Sequence, residues 1–288
     1  MKLALGTVQF GLPYGVANQS GQVTRDEAGA ILTQARASGI DTLDTAIAYG
    51  ESEQRLGEFG VGEWRVITKL PVMPDGCPDV AGWLRDTVAG SLQRLKLNKL
   101  YGLLLHRSQE LLSPSGRALY LALAALKDEN KVGKIGVSIY DPEELDALNG
   151  NFKFDLVQAP FNIVDRRLAA SGWLARLHDT GTEIHVRSAF LQGMLLLGQA
   201  ARPAAFDRWQ PLWNRWHAWL AESALTPLQA CLGFVLSKAE IDRVVVGVDS
   251  LKQLNEILAC AGTVAAVPPD DLMSEDPDLI NPSRWNAS

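Results

Sequence analysis

The sequence predicts a (β/α)8 TIM barrel, an α/β fold, and three observations lead to this prediction. Short runs of apolar residues alternate with amphipathic stretches along the 288 residues, as in a parallel sheet whose strands are joined by crossover helices. Eight such strand–helix pairs can be counted, which is the number that closes a barrel. No glycine-rich dinucleotide fingerprint follows a predicted strand, and this disfavours an open doubly wound sheet, the alternative architecture.

Each predicted strand is a short run rich in β-branched residues or leucine. The runs are Leu3–Thr7, Thr42–Thr45, Arg65–Lys69, Leu100–Leu105, Lys134–Ser138, Leu156–Gln158, Glu183–Arg187 and Val244–Val246. Most of the intervals between successive runs are long enough for a helix, so we expect the strands to be parallel.

The eight predicted helices lie between and after these strands. Thr24 followed by Glu27 has the capping-box arrangement at the start of the first helix, and Gly39 follows its end. Thr226 and Pro227 are residue types preferred at the N-cap and at the first helical position. The predicted helices are Thr24–Ser38, Glu51–Phe59, Asp79–Leu95, Gly116–Glu129, Glu143–Leu148, Gly172–Asp179, Thr226–Ser237 and Ser250–Ala261.

Two segments depart from this alternation. Pro203–Glu222 carries four tryptophans, the first three at helical spacing, which predicts a helix packed on the barrel; the alternative is a wall of the substrate pocket. The four residues are Trp209, Trp213, Trp216 and Trp219. Pro268–Ser288 is rich in Pro, Asp and Asn and is predicted to be an extended strap over the surface. Since no repeat or low-complexity linker interrupts the chain, residues 1–288 are predicted to form one domain.

The composition is that of a globular protein, with 47% hydrophobic and 21% charged residues. A formal net charge of −6 and the lack of a basic stripe argue against nucleic-acid binding. No stretch approaches the roughly 18 apolar residues of a membrane span. The start, MKLALGTVQFG, lacks the apolar core of a signal peptide. We therefore predict a cytoplasmic protein with neither a nucleic acid nor a membrane as its partner.

The cysteines and histidines do not have the spacing of a metal site. Three widely separated cysteines indicate reduced thiols of a cytosolic protein. The four histidines show no metal-like pairing, so a hydrolytic or metal-dependent barrel would lack ligands. The residues concerned are Cys77, Cys231, Cys260, His106, His178, His185 and His217. No metal is predicted.

Four chemically active side chains stand at or just past the ends of predicted strands. They are Asp44, Tyr49, Lys69 and His106. In a parallel barrel the carboxyl ends of all strands meet at one rim, which is where such enzymes carry their active sites. Few reactions use a carboxylate, a phenol, an ammonium and an imidazole together, and carbonyl reduction by hydride transfer is the leading one.

These four groups are predicted to act as one unit. A free tyrosine, with a pKa of about 10, is a poor proton donor at neutral pH unless a neighbouring cation stabilises its phenolate. Lys69 is assigned this role for Tyr49, and Asp44 is needed to keep the buried ammonium charged. His106 is expected to hydrogen-bond the substrate oxygen and orient the carbonyl.

With these residues the sequence resembles the aldo-keto reductases, whose barrel carries an Asp, Tyr, Lys, His tetrad in this order. The matching segments are GIDTLDTAIAYGESEQRLG, VITKL and LLLHR, and the resemblance runs from LGTVQFG to the last helix. It implies an NAD(P)H-dependent enzyme that reduces a small aldehyde or ketone to an alcohol. Tyr49 would donate the proton, assisted by Lys69, Asp44 and His106.

The resemblance also implies a set of cofactor-binding positions. Gly6 and Thr7 would lie beneath the nicotinamide, with Ser138 and Gln158 at its carboxamide and Arg187 at the position that faces its ring. The pyrophosphate would be wrapped by the loop of the seventh strand, in VRSAFLQGMLL, and the adenosine held by VVVGVDSLKQLNEIL. The positions in these two segments are Ser188, Leu191, Gln192, Gly193, Gly247, Asp249, Ser250, Gln253 and Glu256.

The chain departs from the family pattern at the nicotinamide. Ile139 stands where Asn usually follows the carboxamide-binding serine, and Arg187 replaces the aromatic that commonly stacks on the ring. A guanidinium plane can also stack on a flat ring, and its charge is predicted to favour the reduced, neutral nicotinamide. These two departures leave an alternative open, a nicotinamide-binding barrel with a sensor or regulatory role and little turnover.

The adenosine segment leaves the cofactor choice open as well. Many members hold a 2′-phosphate there with basic side chains, whereas this chain has Asp249, Lys252 and, where Arg is often found, Gln253. An aspartate near the ribose would repel the phosphate. The resemblance therefore implies NADP(H), with NAD(H) possible.

Overall fold

The computed structural model describes residues 1–18, 20–263 and 266–285. Eight parallel strands form a closed barrel in sequence order, each paired with its neighbour along the chain and the last with the first. The strands are β1 Leu3–Gly6, β2 Thr42–Asp44, β3 Arg65–Leu70, β4 Leu100–Leu105, β5 Val132–Ser138, β6 Leu156–Pro160, β7 Glu183–Arg187 and β8 Arg243–Gly247. This confirms the predicted TIM barrel and all eight predicted strands.

Helices cover the outside of the barrel. They are α1 Val8–Gly11, α2 Arg25–Ala37, α3 Ser52–Phe59, α4 Val80–Leu95, α5 Gly116–Asp128, α6 Glu143–Leu148, α7 Arg167–Ala170, α8 Trp173–Asp179, α9 Gln210–Ser223, α10 Pro227–Leu236, α11 Leu251–Cys260 and α12 Pro277–Ile280. The eight predicted helices correspond to α2 to α6, α8, α10 and α11. The predicted Trp-rich helix corresponds to α9, while the single-turn helices α1, α7 and α12 were not predicted.

The barrel interior is filled in layers, because side chains two residues apart on a strand face the same side. Ile67, Leu104 and Leu156 form a fully buried apolar cluster contributed by β3, β4 and β6. Two residues further toward the carboxyl ends come Lys69 of β3, Gln158 of β6 and His106, which directly follows β4. The alternation of side chains along each strand thus places polar residues at the rim, one layer above buried apolar residues.

The Trp-rich segment is a helix packed on the barrel, as predicted. Trp213 and Trp216 of α9 are fully buried in the main hydrophobic core, and Trp219 is nearly so. None of the segment's tryptophans lines either of the two cavities described below, so the alternative of a pocket wall is not supported.

No single described helix is long and apolar enough to cross a membrane. One pair, Ala204–Ser223 with Pro227–Leu236, meets the length and composition of a span only when its two members are joined across an 86° bend.

The tail is not the uniformly extended strap that its composition predicts. It contains two 3-10 turns, Asp270–Leu272 and Pro282–Arg284, on either side of α12. Leu279 and Ile280 of α12 are fully buried. The two apolar residues between the prolines need to be buried, and a helical turn achieves this while Asp278 stays at the surface. Residues 286–288 of the predicted strap lie outside the described residues.

Thr226→Ala is expected to lower the free energy of unfolding by about 1 kcal/mol. Thr226 Oγ1 accepts a hydrogen bond from Gln229 N at 3.2 Å, and Gln229 Oε1 accepts one from Thr226 N at 3.0 Å. The substitution removes the acceptor of Gln229 N, one of the first main-chain donors of α10. Urea denaturation measures the change.

The control is Thr33→Ala in the middle of α2, where the hydroxyl bonds only the preceding helical turn, at Gly29 O. Alanine is the better helix former there, so no loss is expected. Equal losses in both variants would contradict the assignment of Thr226 as a cap.

Candidate active site

The four predicted catalytic side chains converge at the carboxyl end of the barrel. Asp44 is the last residue of β2, Lys69 the next to last of β3, and His106 follows β4 directly. Tyr49 lies in the turn between β2 and α3. All four line one cavity of about 540 Å3.

Lys69 and Asp44 form a buried ion pair, with their side-chain surfaces almost wholly removed from solvent. Lys69 Nζ donates to Asp44 Oδ1 at 2.6 Å and to Thr45 O at 3.0 Å. Gln158 Nε2 donates to the other carboxylate oxygen, Asp44 Oδ2, at 2.7 Å. Burial lowers the pKa of Lys69, and the carboxylate of Asp44 opposes this shift. The ammonium and the carboxylate are each held by at least two partners.

Tyr49 stands beside both the ammonium and the imidazole. Lys69 Nζ lies 5.1 Å from the centroid of the Tyr49 ring. The rings of Tyr49 and His106 meet edge to face, with centroids 6.0 Å apart and planes at 76°. Burial, followed by the charge of Asp44, raises the pKa of Tyr49 far above its ordinary value. The phenol is therefore protonated at neutral pH.

From the sequence, Lys69 is expected to lower the pKa of Tyr49. In the structure the net effect on this pKa is a rise. Burial has the larger effect, and the charge of Lys69 is directed to Asp44 at 2.6 Å. The cation that lowers the pKa of Tyr49 is Arg187, on β7.

His106 is neutral at physiological pH. Burial, then the charges of Lys69 and Arg187, lower its pKa to about 4. A neutral imidazole can donate a hydrogen bond from one ring nitrogen while the other accepts. This is the form expected of a group that orients a carbonyl oxygen.

Most of the predicted cofactor positions line this same cavity. They are Gly6, Thr7, Ser138, Gln158, Arg187, Ser188, Gln192, Gly193, Gly247, Asp249, Gln253 and Glu256. Two predicted positions do not line it. Leu191 is fully buried in the core, and Ser250 caps α11 by accepting a hydrogen bond from Gln253 N at 3.2 Å.

The loop after β7 has an unusual backbone. Ser188, Leu191, Gln192 and Gly193 all adopt left-handed conformations, with φ of 61°, 48°, 52° and 88°. Gly193 also lies against the loop after β1, because a Cβ added to it would stand 2.6 Å from that of Ala17. The loop is therefore tightly turned, and its residues Ser188, Gln192 and Gly193 line the cavity, where polar main-chain groups can contribute to binding a phosphate.

The two residues predicted to hold a carboxamide are hydrogen-bonded to each other. Ser138 Oγ donates to Gln158 Oε1 at 3.3 Å. The side chain of Ile139 is buried, and its carbonyl oxygen accepts a hydrogen bond from Arg187 Nη2 at 3.0 Å. Arg187 stacks on the ring of Tyr140, with its Cζ 4.3 Å from the centroid. One face of the guanidinium is thus already covered by an aromatic ring.

The predicted adenosine end of the cavity is acidic. Asp249 Oδ1 accepts from Asn18 Nδ2 at 3.0 Å, and burial raises the pKa of Asp249. Glu256 also lines this end. Lys252 points to solvent with its ammonium 3.9 Å from Glu256. The lysines and arginines that line the cavity, among the residues described, are Lys69 and Arg187 at the other end.

Sequence reasoning missed several residues of the cavity. Tyr14 and Asn18, from the loop between α1 and α2, line it, and the Tyr14 hydroxyl accepts from Gln192 Nε2 at 2.9 Å. Gln9 Oε1 is buried without a hydrogen-bond partner within the described chain, and it packs on Gly247, where a Cβ would stand 2.7 Å from it. The loop has no periodicity that would have revealed Tyr14 and Asn18.

A second cavity, of about 940 Å3, adjoins the first and shares His106, Ser138 and Tyr140 with it. Its apolar wall includes Val72 and Leu112, which are both exposed. This second cavity therefore adjoins the first on the side where the imidazole lies.

The described part of the chain contains no group of three or more His, Cys, Asp or Glu side chains placed to hold a metal ion. Cys77, Cys231 and Cys260 are free thiols.

The chain is similar in sequence and fold to known proteins. The model of the aldo/keto reductase family matches residues 2–266. A crystal structure from Pseudomonas aeruginosa, described as an aldo-keto reductase, is 26% identical, with a TM-score of 0.66 over 90% of this chain and 89% of that chain. A second structure from that organism, similarly described, has the same identity and TM-score and covers 90% and 88%.

An aldo-keto reductase from Bacillus halodurans in its holo form is 19% identical, with a TM-score of 0.73 over 92% of this chain and 88% of that chain. At this identity the likeness shows the fold. No curated protein matches the chain.

Proposed function

The chain belongs to the aldo/keto reductase family, whose members use nicotinamide cofactors in general, and from this premise we propose that it reduces a small aldehyde or ketone to the alcohol. The observation that carries the proposal is the convergence of Tyr49, His106 and the Lys69–Asp44 pair on one cavity. A protonated phenol beside a neutral imidazole can deliver a proton to a carbonyl oxygen that both groups contact.

Tyr49 is the proton donor in this mechanism. Its phenol is protonated in the free protein, since burial raises its pKa. As the carbonyl oxygen gains negative charge, the phenolic proton passes to it. The Lys69 ammonium, 5.1 Å from the ring centroid, limits the rise in energy as the phenolate forms.

His106 orients the substrate. Its neutral ring can donate a hydrogen bond to the carbonyl oxygen and hold it toward Tyr49, whose ring is in edge contact with the imidazole. Positioning of this kind raises the rate by removing the entropy cost of bringing the reacting groups together. The adjoining cavity with Val72 and Leu112 supplies space for the remainder of the substrate.

The cavity suits a nicotinamide dinucleotide, which supplies the hydride when bound. Ser138 and Gln158 would hold its carboxamide, and the left-handed turn through Gln192 and Gly193 would lie along its pyrophosphate. The unpartnered Gln9 Oε1, beside Gly247, is a buried polar atom that such a ligand can satisfy.

We further propose that the site discriminates weakly between NADP(H) and NAD(H). Asp249 can accept a hydrogen bond from a free 2′-hydroxyl, whereas Lys252 is exposed and can reach a 2′-phosphate only through solvent. Exposed single charge contacts contribute about 1 kcal/mol, so the affinities should differ by about tenfold or less.

Asp249→Asn is expected to shift the ratio of affinities toward NADPH by about fivefold, because it removes a negative charge that repels the 2′-phosphate. Asparagine keeps the size of the side chain beside Asn18. Titration of each reduced cofactor, followed by intrinsic tryptophan fluorescence, measures the ratio.

Lys252→Gln serves as the control and should leave the ratio almost unchanged, because the ammonium is exposed and lies nearest to Glu256. A thousandfold preference of the wild-type protein for either cofactor would show that this end of the cavity binds in another way.

A panel of aldehydes and ketones assayed with both reduced cofactors tests the proposed reaction. Consumption of reduced cofactor with formation of the alcohol is the expected result. Cofactor binding without turnover on any member of the panel would favour the alternative, a nicotinamide-binding sensor or regulatory protein. The departures at Ile139 and Arg187 are what motivate that alternative.

We propose a cytoplasmic protein, formed as one domain over residues 1–288, whose partner is a small carbonyl compound rather than a nucleic acid or a membrane. The acidic net charge of −6 supports the exclusion of nucleic acids.

A further inference from the structure

Arg187 is a cation fixed at the reaction end of the cavity. It is the last residue of β7, and its Nη2 donates to the carbonyl oxygen of Ile139 at 3.0 Å. Its Nη1 donates to Ser188 Oγ at 3.3 Å, and the guanidinium stacks on Tyr140 with Cζ 4.3 Å from the ring centroid. Two hydrogen bonds and a stacked ring hold the planar group in one orientation.

The charge of Arg187 is not compensated locally. Its hydrogen bonds within the described chain are with a carbonyl oxygen and a hydroxyl, and no carboxylate of the described residues forms a salt bridge with it. The other cation of the cavity, Lys69, is paired with Asp44 at 2.6 Å, so that pair contributes little net charge. The net positive charge at this end of the cavity therefore resides on Arg187.

Tyr14, Tyr49 and His106 line the same cavity as Arg187 and are exposed to its charge. Arg187 lowers the pKa of Tyr49 and of His106, and it also lowers the pKa of Tyr14. The other charged and titratable groups that act on Tyr49 are Asp44 and Tyr140. Those that act on His106 are Lys69, Asp44 and Arg107.

We propose that Arg187 is a positioning residue for the proton transfer, supplying the net positive charge that stabilises the oxygen of Tyr49 as its proton leaves. This proposal rests on the proposed function. In the step, the bond between the phenolic oxygen and its proton breaks and a bond from that proton to the substrate oxygen forms, leaving a tyrosinate. The hydride that completes the reduction comes from the reduced nicotinamide cofactor of the proposed reaction.

A fixed cation without a counterion is suited to this role. A nearby opposite charge favours the ionised form of an acid, and the effect is strongest where water is excluded. The field of Lys69 is partly offset by Asp44, which accepts a hydrogen bond from its Nζ at 2.6 Å. Lys69 and Arg187 then both favour the phenolate, Lys69 from the face of the ring and Arg187 as the cation of the cavity without a counterion among the described residues.

Arg187→Gln and Arg187→Lys form the test pair, assayed for kcat and KM on the best carbonyl of the panel. Gln removes the charge and should lower kcat by about tenfold or more, with KM little changed, because a neighbouring charge shifts a pKa by roughly one unit or more. Lys keeps the charge and should recover most of kcat. Arg215→Gln, an exposed arginine of α9 outside both cavities, is the control for loss of a surface charge.

A second readout does not depend on turnover. The pKa of His106, lowered to about 4 in the wild type, can be measured by NMR of the imidazole in the protein without cofactor. Loss of the Arg187 charge makes protonation of His106 easier, so its pKa should rise by roughly one unit in the Gln variant and return toward the wild-type value in the Lys variant.

Failure of the role of Arg187 can be distinguished from failure of the proposed function. If no carbonyl is reduced by the wild type, the proposed function fails, whereas the NMR titration still tests the field of Arg187. The proposal is overturned if the Gln variant keeps kcat, if it loses only affinity for carbonyls that carry a carboxylate, or if the pKa of His106 does not move. Should the Gln variant fail to fold, Arg187→Met, which keeps the aliphatic stem, replaces it under the same criteria.

Discussion

Replacing Tyr49 with phenylalanine is expected to lower carbonyl reduction by about a hundredfold or more, the usual contribution of a positioned general acid. The substitution removes the transferable proton and keeps the ring. The edge contact with His106 and the approach of Lys69 to the ring face therefore remain. Affinity for the reduced cofactor, measured by tryptophan fluorescence, should be almost unchanged, so the loss should fall on kcat.

Two further tyrosines serve as comparisons that test whether Tyr49 is the proton donor. Tyr14 also lines the cavity, and burial raises its pKa to about 12, so Tyr14→Phe is the comparison within the site. Tyr120, on α5, bonds the carbonyl oxygen of Lys153 outside the cavity, and Tyr120→Phe is the control for loss of a hydroxyl. If turnover survives in Tyr49→Phe and is lost in Tyr14→Phe, the donor is Tyr14.

The barrel could be predicted from sequence because each strand is buried on both faces. Runs such as the one in β4, Leu100–Leu105, have to be apolar when they lie between a filled interior and a layer of helices. The polar residues that interrupt this rule, such as Lys69 and Gln158, stand out for the same reason. A buried charge in a strand must have a partner, and the structure places Asp44 beside both residues.

The rest of the site could not be predicted because it comes from loops. Tyr14 and Asn18 reach the cavity through a loop whose path depends on contacts with Gln192 and Asp249, far away in sequence. The net effect on the pKa of Tyr49 also escaped prediction. Residue types show that a lysine and a phenol are neighbours, whereas the competition between burial and charge depends on the distances in the fold.

Lys69→Met is expected to silence reduction, by about a hundredfold or more, and to destabilise the fold by about 3 kcal/mol. Removing one member of a buried ion pair leaves the other charge without compensation, which is costly in stability. Asp44 would keep only the hydrogen bond from Gln158, and its charge already raises the pKa of Tyr49. Without the ammonium that pKa should rise further, since the phenolate then faces an uncompensated carboxylate.

The double variant Asp44→Asn with Lys69→Met separates the two consequences. It restores neutrality and keeps an oxygen for Gln158 Nε2, which donates to Asp44 Oδ2 at 2.7 Å in the wild type. Denaturation in urea should then show most of the lost stability recovered, because a neutral pair in a buried site carries no charge to desolvate. Turnover should stay at least about tenfold below wild type, since the ammonium beside the Tyr49 ring is still missing. Retained activity in Lys69→Met, with an unchanged pH–rate profile of reduction, would show that the phenol works without the ammonium and that the four groups are not one coupled unit.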